Sequence, residues 1–317
     1  MKTWIDFDEA PVFAIPLTDE LDGLGVYQGM LIEGPQGWGE FGAPRNCSDE
    51  VAGRWLTASI EAGTVGWPDP VRGRVPVAVT VAAVDPDRAR RIVADTGCRT
   101  AAVRVGGVGG NLAADIARVE AVRDALGPSG AIRCNAAGSW DVDTAVTAIS
   151  ALDSAAGGLE FIQQPCRTLD DTATLRAMIT VPVAVDAANA NLAAAADIAV
   201  LNVGNLGGVR RALRVAETCG LPCVVGASLQ SSVGIAGGLA LAGVLPEIGF
   251  ASELATVGLF TGDVVSAGRS LIPSDGYLPV APMPAAPDAV GLARFAVHDP
   301  ETIAWWRKRL KAAQLYI

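Results

Sequence analysis

The sequence predicts an α/β protein in which a small α+β N-terminal capping domain precedes a (β/α)8 TIM barrel. The main observation is an alternation that begins near Val75, where short apolar runs follow one another eight times with helix-like stretches between them. Parallel strands joined by crossover helices produce this pattern. Residues before Val75 lack it, because VFAIPL and GVYQGMLIEG are typical of antiparallel strands and a single helix-like stretch follows them.

The domain boundaries follow from local composition. The cap is predicted over residues 1–75, with a helix that begins after Ser48, whose hydroxyl is suited to cap it. Prolines and glycines cluster around WPDPVRGRVP, as is typical of a domain junction. The barrel is predicted over residues 76–260, and the segment over 261–317 is expected to pack on both cap and barrel.

The composition restricts the classes of function. Half of the 317 residues are hydrophobic and the formal net charge is −10, which argues against nucleic acid or an anionic membrane as a partner, since both require a basic surface. The sequence shows no long apolar run and no signal-peptide pattern, so a cytoplasmic protein is expected. Six cysteines without CxxC spacing are expected to be buried free thiols, and a single histidine argues against zinc.

An open doubly wound sheet is the competing fold. It is disfavoured because no GxGxxG motif joins a first strand to a first helix. The GGVGG segment at residues 106–110 does precede a predicted helix, where backbone amides are able to bind an anion. A flexible loop is the alternative interpretation of the same segment.

Five of the predicted barrel strands end on polar side chains. In barrel enzymes the carboxyl ends of the strands form the edge that carries the chemistry, here called the rim. The five side chains comprise one guanidinium, one carboxylate and three amides. They are Arg104, Asn135, Gln163, Asp186 and Asn202. The sequence therefore predicts where the site lies better than what it does.

Several stretches resemble the o-succinylbenzoate synthases of the enolase superfamily, in their actinobacterial form, over nearly the whole chain. They are VFAIPL and GWGEF in the cap, and CRTAAVRV, FIQQPC, VPVAVDA, DIAVLNV and SVGIAGGLALAGVLPE in the barrel. The resemblance implies the enolase-superfamily fold, a modified (β/α)8 barrel with a capping domain. It also implies abstraction of a proton next to a carboxylate, with the resulting enediolate held on Mg²⁺.

Most residues that this chemistry requires are different in this chain. The resemblance implies a KxK motif after strand two, three acidic metal ligands after strands three to five, and a lysine after strand six. The matching positions carry Ala102 and Arg104, then Asn135, Gln163 and Asp186, then Asn202. Replacing two carboxylates by amides is expected to abolish tight Mg²⁺ binding, so no metal or other cofactor is expected. Arg104 cannot replace a lysine base, because it stays protonated at any working pH.

The two charged rim residues have two interpretations. Arg104 and Asp186 either pair with each other and hold the barrel together, or act on a substrate, Asp186 as a general acid or base and Arg104 as an electrophilic anchor. In the second case further side chains are predicted to bind the substrate. They are Asn135, Gln163, Asn202, Glu253, Ser228 and Trp140. Glu253 and Trp140 also have a structural interpretation, as a solvated and a packed loop residue, and His298 is expected at the surface.

Three functions remain open. The first is a metal-independent enzyme that promotes cyclisation, isomerisation or dehydration of a small organic substrate in the barrel pocket. The second is a non-catalytic, ligand-binding pseudoenzyme. The third is residual o-succinylbenzoate synthase activity, a dehydration in the menaquinone pathway. Asp19, Glu20 and Asp22 in the cap are expected to repel a dicarboxylate, which argues against the third. The sequence makes no prediction of oligomeric state.

Overall fold

The computed structural model describes residues 5–107, 110–188 and 192–317. Its N-terminal part is a three-stranded antiparallel sheet followed by a helix. These elements are β1 (Val12–Leu21), β2 (Leu24–Glu33), β3 (Trp38–Phe41) and α1 (Asp49–Thr64). Ser48 caps α1, as predicted, by accepting a hydrogen bond from the backbone nitrogen of Val51.

Seven parallel strands in sequential order make up most of the rest of the fold. A short strand, β4 (Arg74–Pro76), leads into them. They are β5 (Ala78–Val81), β6 (Thr100–Arg104), β7 (Ala131–Asn135), β8 (Ile162–Gln163), β9 (Val183–Asp186), β10 (Ile198–Asn202) and β11 (Cys223–Gly226). Because the strands are parallel, their carboxyl ends lie along one edge, the predicted rim.

The eighth predicted strand is not a regular strand. Ser252 and Glu253 instead form single parallel bridges to Val77 and Gly226, at the two ends of the seven-stranded sheet. A 3₁₀ helix over residues 255–259 begins directly afterwards, which leaves no room for longer pairing. The result is a barrel-like parallel sheet whose two edges are joined by two residues.

Helices follow the strands and pack their apolar faces against them in one large cluster. They are α2 (Pro86–Ala94), α3 (Leu112–Leu126), α4 (Val142–Ala156), α5 (Leu169–Arg176), α6 (Leu192–Ala195), α7 (Val203–Leu206), α8 (Val209–Thr218) and α9 (Ser232–Val244). Asp85 caps α2 through the backbone nitrogen of Arg88, and Gly127 ends α3 with a φ of 71°. Both terminal signals were readable in the sequence.

A separate cluster fills the inside of the barrel-like sheet. It consists of Phe161, Ala184, Ile198, Val200 and Val224. Side chains on a strand point alternately to its two faces, and four of these residues lie two positions before a residue at the end of β8, β9, β10 or β11. By the same alternation Arg133, two positions before Asn135, points into the interior below the rim. Arg133 is fully buried, so its charge requires partners inside the barrel.

The C-terminal segment returns to both earlier parts of the chain. Strand β12 (Tyr277–Pro279) pairs antiparallel with β4, and α11 (Pro300–Ala313) packs Trp306 into an apolar cluster with residues of the cap. A further helix, α10 (Ala289–Phe295), lies between β12 and α11 in the chain.

Residues 108–109 of the GGVGG segment lie outside the described ranges, so neither its interpretation as a flexible loop nor that as an anion site is tested. Within the part of the chain that the structure describes, no helix combines the length and the apolar character needed to span a bilayer.

Candidate functional site

The rim and the β1–β2 turn of the cap enclose a cavity of about 900 Å³. Pockets for small organic ligands typically span roughly 300–1,000 Å³. All five strand-end side chains predicted from the sequence line this cavity, and Asp22, Tyr27 and Arg45 line it from the cap. Neighbouring strands bring the rim side chains together, since Arg104 lies beside Asn135 and Asn135 beside Gln163 in the strand register.

Arg104 pairs with the cap rather than with the barrel. Its Nη2 donates a hydrogen bond to the carboxylate of Asp22, at the tip of the β1–β2 turn, where Asp22 has a φ of 54° and Gly23 follows with a φ of 80°. The interpretation that Arg104 pairs with Asp186 is therefore wrong: the turn places another carboxylate closer. The ion pair joins cap and barrel at the mouth of the cavity.

Asp186 is held by neutral donors. Its Oδ1 accepts from the backbone nitrogen of Ala188 at 2.8 Å, and its Oδ2 accepts from Nδ2 of Asn205 at 2.7 Å. Burial raises the pKa of the Asp186 carboxyl above its ordinary value, and these two hydrogen bonds oppose that shift. Asn205 in turn accepts from Nε1 of Trp55 in α1, at 2.9 Å, so the carboxylate is tied to the cap through one amide.

Asn202 and Ser228 form the part of the rim next to Asp186. The Oδ1 of Asn202 accepts from the backbone nitrogens of Gly204 and Asn205 and so caps α7. Its Nδ2 donates to the hydroxyl of Ser228 at 3.2 Å, and both residues line the cavity. Asn202 thus has a local structural role in addition to its place in the site.

Gln163 links Asn135 to Glu253. A carboxylate only accepts hydrogen bonds, so the amide nitrogen of Gln163 faces Glu253, at 3.0 and 3.1 Å from its two oxygens. In that orientation the Gln163 oxygen accepts from Nδ2 of Asn135 at 3.2 Å. The Oδ1 of Asn135 accepts from the backbone nitrogen of Ala137 at 2.9 Å. The two amides and the carboxylate therefore form one hydrogen-bonded chain along the rim.

Glu253 is buried and lines the cavity, which excludes its interpretation as a solvated loop residue. Its Oε1 accepts from Nη1 of Arg133 at 3.3 Å. Burial raises the pKa of Glu253, and the positive charges of Arg133 and Arg104 oppose the shift.

Trp140 and His298 lie apart from the cavity. Trp140 is partly buried, bridges to Cys166 and lies against Gly106, and it is not part of the cavity lining among the described residues. His298 is exposed, as expected.

Two residues of the site were not identified from the sequence. Asn205, which holds Asp186, lies three residues after the strand-end Asn202, and an amide within the first turn after a barrel strand was the available signal. Tyr27, a buried cavity residue of β2, donates its hydroxyl to Oε1 of Glu40 at 2.5 Å. It lies within an apolar strand that gave no such signal.

The residues present do not fit the divalent cation that the resemblance implies. Mg²⁺ prefers charged oxygen ligands, whereas the three matching positions supply one carboxylate and two neutral amides. The amide oxygens of Asn135 and Gln163 each already accept a hydrogen bond, and so do both oxygens of Asp186. Across residues 5–107, 110–188 and 192–317, no group of three or more His, Cys, Asp or Glu side chains is placed to hold a metal ion.

Two family models match the chain. "Enolase N-terminal domain-like" covers residues 12–63, and "Enolase C-terminal domain-like" covers residues 85–293. The first therefore matches the cap sheet and most of α1, and the second matches the barrel-like part.

Relatives of similar length match almost the whole chain. The o-succinylbenzoate synthase of Thermobifida fusca (strain YX) is 47% identical over 315 residues, which covers 95% of both proteins. The o-succinylbenzoate synthase of Mycolicibacterium smegmatis is 42% identical over 315 residues, which covers 96% of this chain and 95% of that protein.

Solved structures of lower identity share the fold. The muconate lactonizing enzyme of Pseudomonas fluorescens, in complex with muconolactone, superposes with a TM-score of 0.76 at 22% identity, covering 92% of this chain and 98% of that one. The N-succinyl Arg/Lys racemase of Bacillus cereus gives a TM-score of 0.74 at 18% identity, covering 94% and 98%.

Proposed function

Since the chain belongs to the enolase superfamily and is o-succinylbenzoate synthase-like over almost all of its length, we propose that it converts a small organic molecule without a divalent cation. The reaction takes place in the cavity between cap and barrel. The observation that carries the proposal is the hydrogen-bonded chain of Asn135, Gln163 and Glu253, in which two neutral amides stand where the resemblance implies charged metal ligands.

Asp186 is the group that moves a proton in this proposal. Burial raises the pKa of its carboxyl, so it holds a proton more readily than an exposed aspartate does. Asn205 and the Ala188 backbone nitrogen fix its orientation. Arg104 supplies positive charge at the cavity mouth, where it stabilises negative charge that develops on the ligand.

The second candidate is o-succinylbenzoate synthesis itself. The two relatives named for this reaction are 47% and 42% identical over nearly the full length, which favours it. The chemistry of the rim opposes it, because an enediolate held without a metal loses its main electrostatic stabiliser, a contribution of several kcal/mol. The two candidates differ in their requirement for Mg²⁺, which makes them separable in one assay.

The assay measures dehydration to o-succinylbenzoate, followed by the absorbance of the aromatic product, in parallel samples with Mg²⁺ and with EDTA. The Thermobifida fusca relative serves as the positive control. Substrates are the hydroxylated precursor of o-succinylbenzoate and a panel of hydroxylated cyclic acids and amines. We expect the relative to convert its precursor, and this chain to convert a panel member equally well in both samples.

Asp186→Asn is the matched variant, since it keeps the shape and removes the acid/base group. It is expected to lower turnover by at least about a hundredfold. Turnover of the precursor in the Mg²⁺ sample alone would establish the second candidate. No turnover in either sample would contradict the catalytic part and leave ligand binding as the function.

A further inference from the structure

Glu253 is a second carboxylate in the cavity, at the barrel position where a regular eighth strand is missing. It is 7% exposed and lines the cavity. Gly226, its bridge partner on β11, has no side chain to cover it, and a Cβ there would come within 3.8 Å of Oε2 of Glu253. The carboxylate is therefore buried by the protein yet reachable from the cavity.

The hydrogen-bonded chain that leads to Glu253 runs in one direction. The backbone nitrogen of Ala137 can only donate, so it fixes the oxygen of Asn135 at one end. The carboxylate of Glu253 can only accept when ionised, so it fixes the nitrogen of Gln163 at the other end. A glutamate at position 163 would instead place two carboxylates about 3 Å apart, an arrangement that like charges oppose. The amides are thus suited to orient Glu253.

The charges around Glu253 leave an excess of negative charge at the cavity floor, the part of the cavity lined by Glu253 and Asp186. Arg133 is shared, since its Nε donates to Glu160 at 2.9 Å and its Nη1 donates to Glu253 at 3.3 Å, so one positive charge faces two negative ones. Arg104 is paired with Asp22 at the mouth, and Arg45, the other arginine in the cavity lining among the described residues, belongs to the cap. Asp186 adds a further negative charge on the rim. A ligand that carries a carboxylate towards this floor would be repelled, and a ligand that carries a cation would be attracted.

We propose that Glu253 recognises the ligand directly through a cationic amine, with Gln163 and Asn135 as positioning residues. The ligand is then an organic molecule that bears an ammonium group, not a dicarboxylate. This inference rests on the proposed function only in placing the ligand in the cavity. It concerns binding and requires no chemical step.

The test compares two probes with one carbon skeleton, 4-phenylbutylamine and 4-phenylbutyrate, by ligand-observed NMR titration at neutral pH. The parent is expected to bind the amine at least about tenfold more tightly, as one charge-assisted hydrogen bond suffices for that factor. Equal or tighter binding of the carboxylate overturns the proposal, and so does the absence of amine binding at millimolar concentration.

Matched variants separate recognition from structural support. Glu253→Gln is expected to remove the preference for the amine. Glu160→Gln removes the other carboxylate that Arg133 contacts, outside the cavity lining, and is expected to keep the preference. Gln163→Met keeps the length of the side chain without its donor and is expected to lower the preference severalfold, with circular dichroism unchanged. An equal loss in Glu160→Gln and Glu253→Gln would reduce Glu253 to structural support and overturn the proposal.

The outcome is independent of the catalytic proposal. If the protein binds the amine but converts no panel compound, the proposed reaction is wrong and the inference about Glu253 stands. If it converts a carboxylate substrate without metal and shows no preference for the amine, the proposed reaction stands and the inference about Glu253 is wrong.

Discussion

Two buried carboxylates in this molecule are stabilised in different ways. Glu253, at the cavity, contacts the guanidinium of Arg133 and the amide of Gln163. Glu40, on β3 at the junction of cap and barrel, is 4% exposed and accepts hydrogen bonds from the hydroxyls of Tyr27 and Ser231 and from the Ser231 backbone nitrogen. All three of these donors are neutral.

The comparison shows how the partners of a buried carboxylate affect its pKa. Burial raises the pKa of Glu40 to about 7, although the Ser231 and Tyr27 hydrogen bonds oppose the shift and nearby Asp263 adds to it. At Glu253 the effect of burial is opposed by a full positive charge from Arg133. Burial therefore raises the pKa of both carboxyls, but a buried cation opposes the rise at Glu253, whereas only neutral donors oppose it at Glu40.

The largest effect is expected from removing the cation. Arg133→Met leaves Glu160 and Glu253 without their positive partner inside the barrel, and breaking a buried ion pair costs about 3–5 kcal/mol. The free energy of unfolding, measured in urea, should fall by that amount. A loss below about 1 kcal/mol would mean that Glu253 does not need Arg133 and that the contrast with Glu40 is incorrect.

The next effect concerns the pH dependence of stability. The pKa of Glu40 is raised from its ordinary value of 4.5 to about 7, so the folded protein holds a proton that the unfolded chain has already lost between these values. The stability from this group is full below pH 4.5 and is lost as the pH rises through about 7, a change of about 3 kcal/mol. The free energy of unfolding, measured in urea, should fall more between pH 5 and pH 7.5 in the parent than in Glu40→Gln. An equal change in both proteins would contradict the raised pKa of Glu40.

A smaller effect is expected where a neutral hydrogen bond links the cap to the site. Asn205→Ala removes the amide that joins Asp186 to Trp55, and a net loss of about 1–2 kcal/mol is expected. Urea unfolding of the parent and of Asn205→Ala measures this loss. An unchanged free energy of unfolding would show that the amide does not support Asp186.

The smallest effect is expected at the cavity mouth. Asp22 is exposed, so Arg104→Met should change the free energy of unfolding by no more than about 1 kcal/mol, although Arg104 and Arg133 lie on neighbouring strands. Urea unfolding of the two arginine variants side by side gives the comparison directly. Similar losses would show that burial does not distinguish the two pairs.

The sequence predicted the fold from local signals that the tertiary structure keeps. Ser48, Asp85 and Gly127 mark helix ends through hydrogen bonds or backbone angles that involve only nearby residues. The rim residues were readable for a similar reason, because a polar side chain at the end of an apolar parallel strand faces the same edge as its neighbours.

Contacts between distant segments were not predictable in this way. Arg104 pairs with Asp22, which is 82 positions away, and the turn geometry that brings it there leaves no pattern in the sequence. The chain from Asn135 through Gln163 to Glu253 depends on a two-residue bridge where a regular strand was expected. Glu40 lies in the GWGEF stretch of the cap, and its burial against Ser231 depends on domain packing.

Isothermal titration calorimetry with Mg²⁺ tests the central claim most directly, with the Thermobifida fusca relative measured beside this chain. The claim is that the rim amides orient a carboxylate instead of a metal, so the expected result is heat of dilution alone at millimolar Mg²⁺. Stoichiometric uptake with a micromolar Kd, lost in Asp186→Ala, would contradict it.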